Sequence, residues 1–417
     1  MTLSARTDRS LVRTTGGSIR YVLLESVAPT LERTTDRPPV HLSFVIDRSG
    51  SMAGRKIALA KSAIQQALAR LDDRDRFAVV AYDEVVDVVM ESTPATAEAK
   101  AAALGRLASI DARGSTDLAA GWLRGCEQVA VALTDEAIGR CLLLTDGLAN
   151  HGITDPEILR RHATELRARR VTTSTFGLGA DFDEILLQGM ADSGGGHFYY
   201  IESAPQISDY ITSEVGETLE VVARDAVIAA HTPDLLVEPL SPLPFTRAGE
   251  ATLVQLGDLV SGQQVDVVLK LSFPPSDVGA GRDVTFRLAD RDGVLGGASA
   301  NIEWRYASHG EVDAQPRDRA VDLRVASLYA ARAREEASRY NREGRFDVAR
   351  RALRGVAQRI DAYAGSDVAL RAIVDRLAEE QGEFAAPMAA SERKMRYSAS
   401  ANIARHRDIQ GKAIKGQ

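Results

Sequence analysis

Between residues 40 and 213, short apolar runs alternate with stretches of helical period, and few folds accept that alternation. "VHLSFVI" (40–46) has no helical period, as expected for a strand covered on both faces. Ile57, Ala60, Ile64, Ala67, Leu68 and Leu71 then recur at helical spacing. "FAVVAY" (77–82) and "VVDVVM" (85–90), parted by Asp83 and Glu84, predict a hairpin. "CLLLTDG" (141–147) precedes a predicted helix in "TDPEILRRHATELRARR", with Thr154 as cap, Pro156 in the first turn and basic residues at the end. "VTTSTFGLG" (171–179) leads to a helix at about 183–192, and "GHFYYI" (196–201) to one at about 204–213. The pattern predicts an α/β fold, a doubly wound and mostly parallel sheet with helices on both faces. Such sheets carry their sites at the carboxyl ends of the strands, where Asp47 and Asp146 stand.

The texture changes after 215. From 216 to 310, short apolar runs such as "LLVEPLSPLPF" and "DVTFRLADRDG" are divided by Pro, Gly, Ser and Asp, the pattern of an antiparallel β-sandwich. Within residues 1–36, "SIRYVLLESVAP" alternates like a strand and is expected to join that sandwich. Residues 37–215 would then be an insertion in it. Residues 317–382 read as a helical hairpin divided at Gly344. The segment "GRFDVARRAL" is like one tetratricopeptide unit, but no second copy follows, so a plain hairpin is expected. Residues 383–417, rich in small and basic residues, are expected to be partly disordered.

Composition excludes several classes. A net charge of -7 over 417 residues weighs against a general nucleic-acid binder. No apolar run reaches the ~18–20 residues of a membrane span, and the N-terminus scatters Arg and Asp where a signal peptide needs an apolar core. A cytoplasmic location is the expectation. Cys126 and Cys141 read as buried thiols, and two cysteines cannot build a zinc finger or RING site.

The chemistry concentrates in three loops. "DRSGSM" brings Asp47, Ser49 and Ser51, residues that also suit a turn and helix cap. "IDARGSTDLAAGW" brings Ser115, Thr116 and Asp117 before a helix, and "LLLTDGLANHG" brings Thr145 and Asp146. In a doubly wound sheet these loops converge on one edge, gathering two carboxylates and several hydroxyls without His or thiolate. All-oxygen ligation suits a hard divalent cation, Mg²⁺ before Ca²⁺ or Mn²⁺. "FGLGADFDE" lacks the Walker Lys-Ser/Thr and reads as a strand-to-helix turn. "GGGHFYY" reads as a turn into an edge strand, with His197 on the surface or packed. The Arg-rich helices near 332–359 interleave acidic residues as a solvated face does. No Cys–His or Ser–His–Asp arrangement has supporting spacing.

These loops resemble the three motifs of the von Willebrand factor type A domain and its metal-ion-dependent adhesion site, D-x-S-x-S, then Thr, then Asp. The resemblance implies a Rossmann-like fold and metal ligation by Asp47, Ser49, Ser51, Thr116 and Asp146. It also implies that a partner's Glu or Asp completes the metal shell. Ser115 departs from the family's usual Gly, and Asp117 ranks below the five as a residue that tunes the site from behind. The order of the chain is similar to intracellular type A proteins of bacteria and plants, whose type A domain is followed by a β-sandwich and helices. Plant members add a RING that two cysteines cannot supply here. Bacterial relatives imply an AAA+ ATPase as a partner class. The expected function is a cytosolic, metal-dependent protein-binding module and no enzyme. A Mg²⁺-dependent phosphate-ester hydrolase is the alternative, opposed by the lack of a general base. An exported adhesin is a third reading, opposed by the lack of an export signal.

Overall fold

The computed structural model describes residues 2–31, 37–232 and 234–416. Its central sheet has six strands in the order Val86–Pro94, Arg76–Tyr82, Val40–Asp47, Ile138–Thr145, Val171–Leu178 and Gly195–Ile201. Neighbours are parallel except at Val86–Pro94, which closes the expected hairpin at one edge. Val40–Asp47 and Ile138–Thr145 are buried at every position, which explains why neither shows alternation. Phe44 and Ile46 face a layer with Ile64, Leu68 and Ile211; Val45 and Leu143 face one with Trp122, Cys126 and Leu187.

From Val40–Asp47 the chain first winds to one side of the sheet and then crosses to Ile138–Thr145 on the other. That reversal opens a crevice at the carboxyl ends of these two neighbouring strands. Helix Leu118–Ala130 lies tight against the central strands, Arg76–Tyr82 included, because it presents glycines there. A Cβ on Gly121 would stand 2.3 Å from the Tyr82 ring, and one on Gly125 would stand 2.2 Å from Val45 Cγ2.

The sandwich packs a four-stranded sheet (Leu3–Thr7, Ser18–Val27, Gln264–Phe273, Leu236–Pro239) on a six-stranded one. Ser18–Val27 pairs antiparallel with Gln264–Phe273 along its whole length, Val27 opposite Gln264 and Ser18 opposite Phe273. The α/β unit is therefore inserted between paired strands of the sandwich. Residues 32–36, which end the expected N-terminal segment, lie outside the described residues.

Several expectations need adjusting. Asp155, not Thr154, caps helix Pro156–Ala168, its carboxylate accepting from the Glu157 and Ile158 amides. The last helix of the α/β unit runs Ile207–Leu219 behind a 3₁₀ turn at Ala204–Gln206. The hairpin Arg319–Arg342 and Phe346–Ala364, turned at Gly344 (φ +73°), is joined by a third helix, Val368–Glu383. The segment expected to be partly disordered instead forms helix Ala390–Ala404, followed by a strap that ties the two units together. Lys394, buried, donates to Glu184 Oε2 at 2.7 Å, and Arg405 pairs with Asp192 at 2.5 Å. Arg407 reaches Glu217 at 2.5 Å, while Gln264 N donates to Ile414 O and Gly416 N to Gly262 O, each at 2.8 Å. Basic residues of a segment expected to be partly disordered are here the partners of carboxylates on the α/β unit, two of which, Glu184 and Glu217, are buried. Among the described residues no helix is long and apolar enough to cross a membrane.

Candidate metal centre

Asp47 ends its strand fully buried, and both of its oxygens are held. Oδ1 accepts from the Ser49 amide at 2.8 Å, and Oδ2 accepts from Thr145 Oγ1 at 2.7 Å. Burial pushes the Asp47 carboxyl up, the Thr145 and Ser49 bonds pull it back, and the Asp146 charge adds to the rise. Ser49 and Ser51 follow in the loop, their hydroxyl oxygens 3.1 Å apart. Ser51 Oγ donates to Asp146 Oδ1 at 2.6 Å, which joins the first loop to the third.

Thr116 comes to the same place from the second loop. Gly147 passes so close that a Cβ there would stand 3.4 Å from Thr116 Oγ1 and 4.0 Å from Asp47 Oδ2. The Thr116 side chain is 4% exposed, and its hydroxyl makes no hydrogen bond among the described residues. The structure thus brings all five residues singled out from the sequence to one crevice. Asp117, ranked below them, caps helix Leu118–Ala130 by accepting from Ala120 N at 2.9 Å, and it meets His151 Nδ1 at 3.1 Å. Ser115 Oγ turns outward to Glu84 at 3.0 Å.

Two participants carried too little signal to be singled out. Thr145, noted only as the neighbour of Asp146, orients Asp47. Lys56, in the first turn of helix Arg55–Leu68, places Nζ 2.5 Å from Asp146 Oδ2. Its spacing from Ser51 matches no metal motif, and only the folded loop aims it at Asp146.

These contacts test whether a cation fits. The donors are all oxygen, two of them buried carboxylates, and one hydroxyl is uncommitted. A protein-borne ammonium already stands on Asp146, so the crevice accepts positive charge. The donor set suits a hard divalent ion. A second acidic group, His197, Glu214 and Glu217, also brings possible ligand atoms within 4.8 Å of one another. Arg140 and Arg407 fill that cluster at 2.6 and 2.5 Å, so its charge is met by guanidinium. His197 is neither a surface nor a simply packed histidine but a member of this network, 3.1 Å from Glu214 and 2.9 Å from Arg407 Nη1.

Comparison with known proteins agrees with this architecture. Residues 41–213 match the von Willebrand factor type A domain. The chain is 28% identical to the uncharacterized protein YfbK of Escherichia coli over 293 residues, 69% of this chain and 48% of that one. It spans about half the length of the curated relatives it matches. The solved von Willebrand factor type A protein from Catenulispora acidiphila superposes with a TM-score of 0.71 at 19% identity, covering 100% of this chain and 97% of that one. The ArnB paralog VWA2 from Sulfolobus acidocaldarius gives 0.63 at 16% identity, with 100% and 99% covered. Both likenesses speak to the fold, and both extend through the sandwich and the helices. Residues 41–213 are a von Willebrand factor type A domain.

Proposed function

We propose that this von Willebrand factor type A domain holds a divalent cation, Mg²⁺ first, among Asp47, Ser49, Ser51, Thr116 and Asp146, and through it binds an acidic side chain of a partner protein. The observation that supports this most is the meeting of five oxygen-bearing side chains from three loops, with the Thr116 hydroxyl uncommitted. Type A domains commonly serve as protein-interaction modules with metal-dependent binding. The bound cation would supply an electrophilic position for a partner's carboxylate. Asp47 and Asp146 supply only two negative charges, and the hydroxyls add oxygens without adding charge. Thr145 and the Ser49 amide hold Asp47 in place before any ligand arrives.

One metal–carboxylate bond gives little specificity, so the rim must supply it. Val85 and Leu148, 51% and 49% exposed, sit on the loops beside Asp83 and Asp146 and offer apolar contact. An AAA+ ATPase, or another multiprotein assembly of the cytosol, is the partner class this reading favours.

The test is a pull-down with wild type and Thr116→Ala, each in Mg²⁺ and in EDTA. A partner retained only by wild type in Mg²⁺ supports the reading. The same partners under all four conditions would remove the metal from the mechanism.

A further inference from the structure

The turn after strand Arg76–Tyr82 contains Asp83, which the sequence offers only as a hairpin residue. The structure makes it the hub of the loops that carry the site. Its side chain is buried, and Oδ2 accepts from Arg48 Nε at 3.1 Å and from Arg113 Nε at 2.8 Å. Oδ1 accepts from the Val85 amide at 2.7 Å. The Asp83 carbonyl accepts from Asp117 N at 2.9 Å.

Those partners are placed to matter. Arg48 stands between Asp47 and Ser49, Arg113 lies just before Thr116 on the second loop, and Asp117 directly follows Thr116. One residue therefore grips the first loop once and the second loop on both sides of Thr116. Two backbone bonds complete the seam: Arg113 N donates to Arg48 O at 2.7 Å, and Gly50 N donates to Gly114 O at 3.2 Å. Gly114 has φ +69°, and a Cβ on it would stand 3.3 Å from Asp83 Cβ, so the second loop passes directly over this carboxylate.

The charges balance locally. Arg48 also meets Asp87 at 2.6 Å, so two guanidiniums face two carboxylates. Burial pushes the Asp83 carboxyl up, but the Arg113 bond, the Val85 amide and Arg48 hold it below the usual carboxylate range. The hub stays ionised at neutral pH and adds no net negative charge beside Asp47 and Asp146.

We propose that Asp83 is a positioning residue: by holding Arg48 and Arg113 together it sets Thr116 opposite Asp47 and so fixes the geometry of the cation site. This inference rests on the metal-binding reading above. Groups that orient metal ligands typically change metal affinity 10–100-fold when removed.

The experiment compares wild type, Arg113→Ala and Asp83→Asn. Arg113 is 60% exposed at its side chain, so its removal leaves the core intact where Asp83→Asn could fail to fold. Mg²⁺ affinity is measured by calorimetry, and amide hydrogen exchange of residues 112–117 is measured in EDTA. The expected result for Arg113→Ala is a loss of Mg²⁺ affinity of about 10-fold or more, faster exchange at 112–117, and unchanged exchange in Val171–Leu178. Wild-type affinity in that variant, or unchanged exchange at 112–117, overturns the inference and leaves the metal reading intact. A wild type that takes up no Mg²⁺ removes the metal reading itself, and this inference falls with it.

Discussion

Replacing Glu214 with Gln removes one charge from a carboxylate of the α/β unit that four side chains hold. Glu214 is 0% exposed and accepts from Arg140 at 2.6 Å, Ser174 at 2.6 Å and Tyr199 at 2.5 Å, with His197 at 3.1 Å. The four bonds divide between its oxygens, Arg140 and Ser174 on Oε1 and Tyr199 and His197 on Oε2, so an amide oxygen can keep only one pair. In either orientation Arg140, equally buried, loses the carboxylate charge and retains only Asp258, at 3.7 Å, as an anionic partner. A charge-assisted hydrogen bond is worth about 1.5–3 kcal/mol, and stranding a buried ion raises the total to about 3–5 kcal/mol. Glu220→Gln is the control, because the Glu220–Lys415 pair is exposed at both ends and should change stability by less than about 1 kcal/mol. Urea unfolding followed by tryptophan fluorescence in a Trp304→Phe background reads the α/β unit through buried Trp122. The pH dependence adds a second check. Burial would raise the Glu214 carboxyl, but His197, Arg140 and Ser174 hold it well below the usual carboxylate range. Its stabilisation is therefore complete above the unfolded value of about 4.3 and is lost as pH falls through the depressed native value. The deficit of Glu214→Gln should shrink only in that acid range. A variant within about 1 kcal/mol of wild type at pH 7 would refute the claim that this carboxylate secures the last helix of the α/β unit.

Two further perturbations test other parts of the structure. His41 is buried on the central strand, and burial, with Arg76 nearby, pushes its pKa down to about 4. The unfolded chain takes up this proton below about 6.5, so the stability tied to neutral His41 is complete above that pH and falls by about 2–3 kcal/mol toward pH 4. His41→Gln should flatten the urea midpoint across that window, and an unchanged slope would assign the loss to other groups. Gly125→Ala places a Cβ 2.2 Å from Val45 Cγ2 and 3.2 Å from Cys141 Sγ. It should destabilise by about 1–3 kcal/mol despite alanine's better helix propensity. A thermal midpoint at or above wild type would mean that helix and sheet can part without cost.

The sequence was most readable where a local pattern carries the information. Strands buried on both faces appear as unbroken apolar runs, and the first and third oxygen-rich loops follow two of them, while the second lies between helices Ala97–Ala108 and Leu118–Ala130. The structure accordingly brings Asp47, Ser49, Ser51, Thr116 and Asp146 together. What escaped depends on partners far away in the chain. Asp83 looks like a turn residue because Arg48 and Arg113 reach it from 35 and 30 positions away. The C-terminal segment looks unstructured because Lys394, Arg405 and Arg407 find their carboxylates 210, 213 and 190 positions back. Such pairs leave no period. The misplaced cap had a smaller cause: Thr154 and Asp155 can both accept from helix amides, and composition alone does not choose between neighbours.

The ladder between Ser18–Val27 and Gln264–Phe273 also sets a timetable for synthesis. Val27 waits for Gln264, roughly 240 residues later, which at ribosomal rates of about 5–20 residues per second means roughly 10–50 s. The inserted α/β unit has time to fold in that interval, since small domains close in seconds or less. The strand "SIRYVLLESV" meanwhile emerges with Val22, Leu23 and Leu24 uncovered, though all three are buried in the finished protein. Until Gln264–Phe273 has been made, a nascent chain of this topology therefore carries an apolar strand that can pair along one edge only, with Leu3–Thr7. That strand is where a chaperone would first be needed, and where a slower ribosome would most increase aggregation.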